Sequence, residues 1–354
     1  MMDDPQNDAG LSRRTFLTSA ASALAVAALT PRRARAQKNE PAAAPVTLGS
    51  GYYTYTLDPA WGILPDGMKY GWGCAVVADS QDRIYVHSRS PQAVCVFDRG
   101  GKLLKTWGAE FAGTGHGLYH ARENGDEFLY FTDHPRNLVV KTDLDGNVVM
   151  RLGSVGEGGA KNIARYDAFN QPTDLAVNPH NGDLYVCEGY GGNIIHQFTN
   201  DGKLKQIIGT PGSGPGQYQI PHGIWVDMRL AKRSEEPEIY VADRANRRVQ
   251  VLSLDGRFKR TLVSTASDDV VRAPCCFYTH GDALFIPDLE SRVTILDKND
   301  RVAAHLGDGK NKPASDATFQ APHALCLDSH GDLYVIEWLP YGRPRRFRHT
   351  PQPG

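Results

Sequence analysis

The sequence has almost no net charge and no apolar run long enough to cross a membrane. Its 39 Lys and Arg residues are balanced by 40 Asp and Glu residues, which gives a formal net charge of −1. Nucleic-acid-binding proteins usually carry a clear basic excess, so this balance argues against a nucleic-acid partner. The apolar stretch from Phe16 to Leu29 is shorter than the roughly 20 residues that a transmembrane helix needs. We therefore expect no membrane span.

That short apolar stretch is typical of an export signal. Arg13 and Arg14 precede it, and Ala34-Arg35-Ala36 follows it with small residues at the −3 and −1 positions of a cleavage site. Twin arginine, short apolar region and A-x-A ending together are typical of a bacterial twin-arginine signal. We expect residues 1–36 to be a cleaved signal peptide that engages the twin-arginine export machinery, and the mature protein to be periplasmic or extracellular.

The chain also lacks any C-x-x-C motif among its six cysteines. Cys95, Cys187 and Cys326 lie inside apolar strand patterns, where a small buried thiol is the common state. Cys275 and Cys276 are adjacent in sequence, and vicinal disulfides are rare. The pattern therefore predicts no zinc-finger-like cluster and leaves the disulfide state open.

What the sequence does contain is a repeat. From Trp72 onward a unit of about 40 to 55 residues recurs, a period typical of propeller blades. Its marker is an apolar-aromatic-apolar strand that follows a turn rich in Gly, Asp and Asn, and tight turns of this kind join antiparallel strands. Six copies begin at Ile84, Leu129, Leu184, Ile239, Leu284 and Leu333. The sequence therefore predicts an all-β, six-bladed β-propeller with repeats that resemble the NHL repeat.

The final repeat is one strand short, because the chain beyond Ile336 becomes rich in Pro, Gly and Arg. We expect residues 52–57 to supply that strand and close the ring, since closure removes exposed sheet edges. The predicted organisation is a flexible linker over 37–50, the propeller over 51–348 and a tail over 349–354. Residues 228–238 are predicted to form a surface loop, and the basic segment 343–348 to be a solvated terminus.

The repeats carry chemistry at one aligned position. The odd blades place Cys74, Thr173 and Cys275 there, whereas the even blades place His116, His222 and His323. Alternate blades of a closed propeller are about 120° apart, so the three imidazoles should converge on one centre. Three neutral imidazoles with an open fourth position are a catalytic zinc arrangement. A mixed His/Cys site remains an alternative, as does a polar channel in which the histidines only bind water.

A second aligned position follows the marker strands. A mostly acidic residue precedes it and predicts a structural role in the repeat turn, but the position itself varies from blade to blade. Variation on a repeated scaffold is where function usually resides. The residues there are Arg89, His134, Gly189 with Tyr190 next, Arg244, Leu289 and Trp338.

These residues resemble a known family, the peptidyl-α-hydroxyglycine α-amidating lyases, which are six-bladed zinc propellers. The similarity extends over the six repeats and is strongest at residues 171–177, 185–190, 220–222 and 241–246. The resemblance implies zinc ligands at His116, His222 and His323. It further implies that Tyr190 is a base, and that Arg244 and Arg89 are cations that lower the pKa of this tyrosine and bind a substrate carboxylate.

The implied reaction cleaves an N-(α-hydroxyalkyl)amide, such as a peptidyl-α-hydroxyglycine, into an amide and glyoxylate, without an organic cofactor. Zinc would lower the pKa of the substrate hydroxyl, and Tyr190 would accept its proton if a nearby cation lowers the pKa of the phenol. Ala324 stands where the family has an acidic residue associated with calcium, so calcium is not expected. A separate monooxygenase is an expected partner, because no copper domain accompanies the propeller.

Two other functions fit a propeller. One is a metal-dependent hydrolase or lactonase, but such calcium sites use Glu, Asn and Asp oxygens, whereas imidazoles favour zinc or iron. The other is a non-catalytic NHL scaffold that binds a protein or glycan on its outer face, which requires neither a metal nor Tyr190.

Overall fold

The computed structural model describes residues 44–153, 169–229, 236–265, 269–310 and 317–353. Six antiparallel sheets, each with at least four strands, follow one another along the chain. The predicted six-bladed all-β propeller is confirmed. Blade 1 contains β3 (Gly73–Ala78), β4 (Ile84–Ser88), β5 (Val94–Phe97) and β6 (Leu103–Trp107). Blade 2 contains β7 (Gly115–Glu123), β8 (Asp126–Asp133), β9 (Leu138–Asp143) and β10 (Val148–Gly153).

The remaining blades repeat this order. Blade 3 contains β11 (Asp174–Val177), β12 (Leu184–Glu188), β13 (Ile194–Phe198) and β14 (Leu204–Ile208). A short parallel pair, β15 (Thr210–Pro211) and β16 (Gln217–Tyr218), leads into blade 4. Blade 4 contains β17 (Pro221–Asp227), β18 (Glu238–Asp243), β19 (Arg248–Ser253) and β20 (Phe258–Val263). Blade 5 contains β21 (Tyr278–His280), β22 (Ala283–Asp288), β23 (Arg292–Leu296) and β24 (Val302–Leu306).

Blade 6 is completed by the N-terminal part of the propeller, as the sequence predicts. Its own strands are β25 (Pro322–Leu327), β26 (Leu333–Glu337) and β27 (Arg345–His349), and β2 (Tyr55–Asp58) pairs antiparallel with β27. β1 (Thr47–Leu48) adds a fifth strand. The two ends of the described chain therefore share one sheet, which closes the ring without leaving β27 as an open edge.

Two expectations about the ends of the propeller are corrected. Thr47 and Leu48, predicted to lie in the linker, form β1 against β2. The predicted solvated basic terminus contains β27, in which Arg345 and Arg346 are buried. Arg346 can be buried because its guanidinium pairs with Asp332 at 2.6 Å and a buried charge is tolerated when it is paired.

The core explains why the marker strands repeat an aromatic residue. The marker tyrosines of five blades are fully buried, and Phe285 takes the same place in blade 5. A buried phenol needs a hydrogen-bond partner, and each of the five hydroxyls has one. Tyr85 and Tyr334 donate to Asp79 and Asp328 in the preceding turns at 3.1 and 3.0 Å. In these two blades the tyrosine ties the second strand to an outer turn of its own blade, whereas Tyr185 and Tyr240 bond to Leu254 and Asp300 of the next blade.

Helical structure is minor in the part of the chain that the structure describes, where two 3-10 turns occur at Gly51–Tyr53 and Ala109–Phe111. Neither is long enough to cross a membrane, and no described helix is. The predicted signal peptide over 1–36 lies outside the described residues. The predicted surface loop over 228–238 lies partly outside them. At its described ends that prediction is wrong, because Arg229 is buried against Asp227 and Glu238 begins β18.

Candidate metal centre

The three predicted ligands stand at irregularities in the innermost strands. The register of β7, β17 and β25 against the next strand shifts at His116, His222 and His323, respectively. A β-bulge turns a side chain away from the direction that the regular pleat would give it. Each histidine is at the start of its strand, so the three side chains are placed at one end of the central channel.

The three imidazoles meet on the axis. One potential ligand nitrogen from each histidine lies within 4.8 Å of the other two. The ring centroids of His116, His222 and His323 are 4.8 to 5.1 Å apart, and all three residues are buried. Among the described residues this is the group of His, Cys, Asp and Glu side chains whose geometry suits a metal ion.

Backbone carbonyls fix which ring nitrogen faces the centre. His116 Nδ1 lies 2.7 Å from the carbonyl oxygen of Thr173, and His222 Nδ1 lies 3.0 Å from that of Cys275. His323 Nδ1 lies 2.5 Å from the carbonyl oxygen of Cys74. A carbonyl can only accept, so each Nδ1 carries a proton and each Nε2 keeps its lone pair. Metal-binding histidines commonly show this arrangement.

The odd-blade residues of the first ring thus support the even-blade ligands through their main chains. Their side chains do not join the trio. The Cys74 thiol lies 3.3 Å from the Gly115 carbonyl, and burial raises the pKa of both Cys74 and Cys275 to about 12. The six cysteines are free thiols. The geometry favours a three-histidine site over a mixed His/Cys site.

Burial also keeps the trio neutral. It lowers the pKa of His116 and His222 well below the usual value for imidazole, and neighbouring cationic or imidazole groups act in the same direction. Burial lowers the pKa of His323 to about 3. Metal ligands must be unprotonated, and at neutral pH these three nitrogens meet that condition.

The hydroxyl of Tyr190 lies over the trio. Tyr190 Oη is 3.1 Å from His116 Nε2 and 3.0 Å from His222 Nε2. Burial raises the pKa of this phenol, and Arg244 and Arg89 only partly oppose that effect. The predicted role of Tyr190 as a base requires a cation that brings this pKa below its ordinary value. Arg89 and Arg244 alone do not do so, because desolvation outweighs the two guanidinium groups.

The two predicted arginines flank Tyr190 on different sides. Arg89 Nε donates to the Gly115 carbonyl at 3.0 Å, and its Nη2 donates to His134 Nε2 at 2.7 Å. The Arg244 guanidinium carbon lies 5.5 Å from the centre of the Tyr190 ring. No carboxylate within the described residues forms a salt bridge with either of these arginines, whereas most other described arginines have one.

A repeated hydrogen bond places the second ring of side chains above the first. In four blades the amide of the second-ring residue donates to the carbonyl two residues before the first-ring residue. These pairs are Arg89 to Trp72, Arg244 to Ile220, Leu289 to Ala273 and Trp338 to Ala321, at 2.8 to 3.1 Å. Their backbones are therefore fixed relative to the histidine trio.

Three side chains of the second ring received no role from the sequence. These are His134, Leu289 and Trp338, and two of them contact Arg89. His134 holds Arg89 through the bond given above, and its Nδ1 is buried without a partner. Trp338 stacks on His323 with centroids 5.3 Å apart, and the Arg89 guanidinium carbon lies 4.9 Å from its ring centre. Their position in the repeat was the available signal, but which neighbour each one contacts depends on the closed ring.

Cavities open on both sides of the trio. The upper one, about 450 Å³, is lined by Tyr190, Arg244, His323 and residues of blades 4 to 6, and its described lining residues include no acidic side chain. The lower one, about 180 Å³, runs along the inner strands and is lined by all three histidines and by Asp174. Burial raises the pKa of Asp174 to about 7. The cationic groups are therefore concentrated on the upper side.

Comparisons with known proteins agree with this architecture. A family model described as a 6-bladed beta-propeller, DUF5128, matches residues 175–304. The structure of the gluconolactonase XC5397 from Xanthomonas campestris superimposes with a TM-score of 0.58 and 13% identity, over 88% of this chain and 99% of that one. At this identity the likeness shows the fold alone.

Two curated relatives give sequence similarity. NHL repeat-containing protein 3 of Homo sapiens is 28% identical over 210 residues, which is 57% of this chain and 57% of the human protein. Peptidyl-glycine alpha-amidating monooxygenase B of Xenopus laevis is 31% identical over 154 residues, which is 42% of this chain and 16% of that protein. The chain thus spans little more than half of the first relative and much less of the second. The chain is therefore a six-bladed propeller whose sequence is similar to parts of an NHL repeat-containing protein and of an alpha-amidating monooxygenase.

Proposed function

We propose that this protein is a zinc-dependent lyase that cleaves an N-acyl-α-hydroxyglycine, or a similar N-(α-hydroxyalkyl)amide, into an amide and glyoxylate. The observation that carries the proposal is the position of Tyr190 Oη, 3.1 and 3.0 Å from two of three converging Nε2 atoms. The proposed proton acceptor and the three proposed metal ligands are therefore close to one another. The reaction requires a base and a Lewis acid at the same substrate hydroxyl.

The trio fits zinc by its chemistry. Three neutral imidazoles with oriented Nε2 lone pairs are a catalytic zinc donor set, which leaves one position open; iron would fit the same nitrogen ligands. A bound zinc ion would supply a Lewis acid that lowers the pKa of the substrate hydroxyl. Among the described residues that line the two cavities, Asp174 is the one acidic residue, so this lining lacks the set of carboxylate oxygens that calcium prefers.

The chain's own residues supply the other requirements. Among the described residues neither Arg89 nor Arg244 has a carboxylate partner, so the side of the trio on which these two cations lie favours an anionic substrate. Their guanidinium groups can bind the glycolate carboxylate in bidentate fashion. Because His134 and the Gly115 carbonyl hold Arg89, that clamp is ordered before substrate arrives, which lowers the entropy cost of binding.

The reaction needs a group that carries a proton from the substrate hydroxyl to the amide nitrogen, and we assign this transfer to Tyr190. The substrate hydroxyl loses a proton, the carbon–nitrogen bond breaks, and the released amide nitrogen gains a proton, so no net proton or electron is exchanged. Tyr190 is placed to accept the hydroxyl proton and to return it to the nitrogen. Burial favours its neutral phenol, and the positive charge of a bound metal would act with Arg89 and Arg244 to stabilise the phenolate.

The test is glyoxylate release from N-acetyl-α-hydroxyglycine by the purified, zinc-loaded protein. We expect turnover in the wild type and its loss in His222→Ala, whereas His330→Ala, a change at an exposed histidine distant from the trio, should retain it. Full activity of His222→Ala would contradict the assignment. Absence of turnover in the wild type would favour the scaffold or lactonase function instead.

We further propose that the protein is exported by the twin-arginine route, because Arg13, Arg14 and the A-x-A ending at Ala36 are typical of a twin-arginine signal. Replacement of both arginines by lysine should keep the protein in the cytoplasm of a bacterial host. Normal export of that variant, measured by cell fractionation, would contradict this part of the proposal.

A further inference from the structure

The second ring above the histidine trio is chemically divided. Blades 1 to 4 contribute Arg89, His134, Tyr190 and Arg244, which follow one another in contact around the axis. Blades 5 and 6 contribute the two apolar members of the ring. These are Leu289 and Trp338, and both line the upper cavity.

The upper cavity extends over the apolar side of this ring. Leu289, Trp338, Ala245 and Ala273 contribute its apolar surface. A volume of about 450 Å³ lies within the range of small-molecule pockets. The cavity has room for more than the glycolate part of a substrate. The carboxylate of that part would bind to the cationic side of the ring, opposite Leu289 and Trp338.

The charged groups at the rim of the cavity are already paired. Arg247 bonds to Glu290 at 2.7 Å, and Arg272 bonds to Asp269 and to the Gly309 carbonyl. A salt-bridged rim offers less attraction to a second anionic group than Arg89 and Arg244 offer to the first. The rim therefore does not select an acidic acyl group.

Leu289 and Trp338 are held in place from below. Their amides donate to the carbonyls of Ala273 and Ala321 at 3.1 and 2.8 Å. Trp338 is further fixed between its stacking contact with His323 and the Arg89 guanidinium. Both side chains are only partly buried, so apolar surface is presented to the cavity on a fixed backbone.

From this division we infer that the acyl group of the substrate is apolar and several carbons long, and that Leu289 and Trp338 determine this specificity. The inference rests on the proposed lyase function and deepens it. The carboxylate lies toward Arg89 and Arg244, the reacting carbon lies at the trio beneath Tyr190, and the acyl chain lies over Leu289 and Trp338. Each buried methylene should raise kcat/KM by up to about fourfold.

The experiment compares N-acetyl- with N-hexanoyl-α-hydroxyglycine on the zinc-loaded protein. We expect kcat/KM to be roughly tenfold or more higher for the hexanoyl substrate, because four additional methylenes can be buried. Leu289→Gln, of similar size but polar, should reduce that ratio to within about threefold. Leu289→Met should retain the preference, as should the control Leu104→Gln at an exposed leucine of β6.

Equal kcat/KM values for the two substrates in the wild type would overturn the inference, and so would an unchanged ratio in Leu289→Gln. Calorimetry measures how tightly the unreactive N-acetylglycine and N-hexanoylglycine bind. It therefore distinguishes failure of the specificity assignment from failure of the proposed lyase function. If neither substrate is cleaved but N-hexanoylglycine binds more tightly and Leu289→Gln abolishes the difference, the lyase proposal fails and the specificity assignment stands. If neither cleavage nor dependence on chain length is found, both are overturned.

Discussion

Replacement of Tyr190 by Phe isolates the hydroxyl that the account places over the metal centre. The ring, which lies 5.5 Å from the Arg244 guanidinium carbon and 5.3 Å from the centroid of His134, is retained. Only the oxygen within 3.1 Å of His116 and His222 is lost. The three imidazole ligands and both arginines are unchanged, so we expect metal content to be retained and KM to change by less than about threefold.

The expected effect is therefore on kcat. A positioned general acid or base contributes about 10²- to 10⁴-fold, so kcat for glyoxylate release should fall by that factor. The lost hydrogen bonds should change the free energy of unfolding by about 1 to 2 kcal/mol at most. Steady-state kinetics, elemental analysis and thermal melting measure the three quantities, with Tyr341→Phe, at an exposed tyrosine, as the control.

Two outcomes would refute this reasoning. A kcat for Tyr190→Phe within threefold of the wild-type value would show that the phenol transfers no proton in the slow step. Loss of the metal from the variant would show that the hydroxyl acts mainly as a ligand, and the kinetic effect could then not be assigned to proton transfer.

Two further predictions concern the scaffold. Arg346→Ala should destabilise the protein by about 2 kcal/mol in a chemical denaturation experiment, since it removes a buried guanidinium from Asp332 and leaves that carboxylate with Arg99 as its remaining cationic partner. Arg348→Ala should lower the free energy of unfolding by less than about 1 kcal/mol, because Arg348 bonds to Asp58 from an exposed position. Equal losses of stability in the two variants would contradict the importance of burial. For Asp174, burial raises the folded pKa from 3.8 to about 7, so its contribution to stability is present below about pH 4 and is lost as pH rises through 7. Asp174→Asn should therefore raise the melting temperature of the metal-free protein at pH 8 much more than at pH 5, and an equal gain at both pH values would contradict the shift.

The repeat and the first ring could be predicted from the sequence because their signals are local. Each marker strand carries its own apolar-aromatic pattern, and His222 and His323 share a Pro-His motif that aligns the blades. β27 could not be predicted in this way, since its arginines indicate solvent exposure. Their partners, such as Asp58 for Arg346, are far away in the sequence.

The hydrogen bonds that orient the three histidines could not be predicted from the sequence either. The carbonyls that orient His116, His222 and His323 belong to the next blade around the ring, so the tautomers follow from closure and not from any motif. The direction of the Tyr190 pKa could not be predicted either. It depends on how fully the folded protein desolvates the phenol relative to the distances of two arginines.

The most direct test of the account is the metal stoichiometry of the purified protein, measured by elemental analysis after exhaustive dialysis. We expect one zinc or other transition-metal ion per chain in the wild type. We expect less than about a tenth of that in a His222→Ala variant that retains its circular dichroism spectrum, because loss of one of three ligands removes much of the binding energy. A wild-type protein without metal, or equal metal content in both proteins, would contradict it.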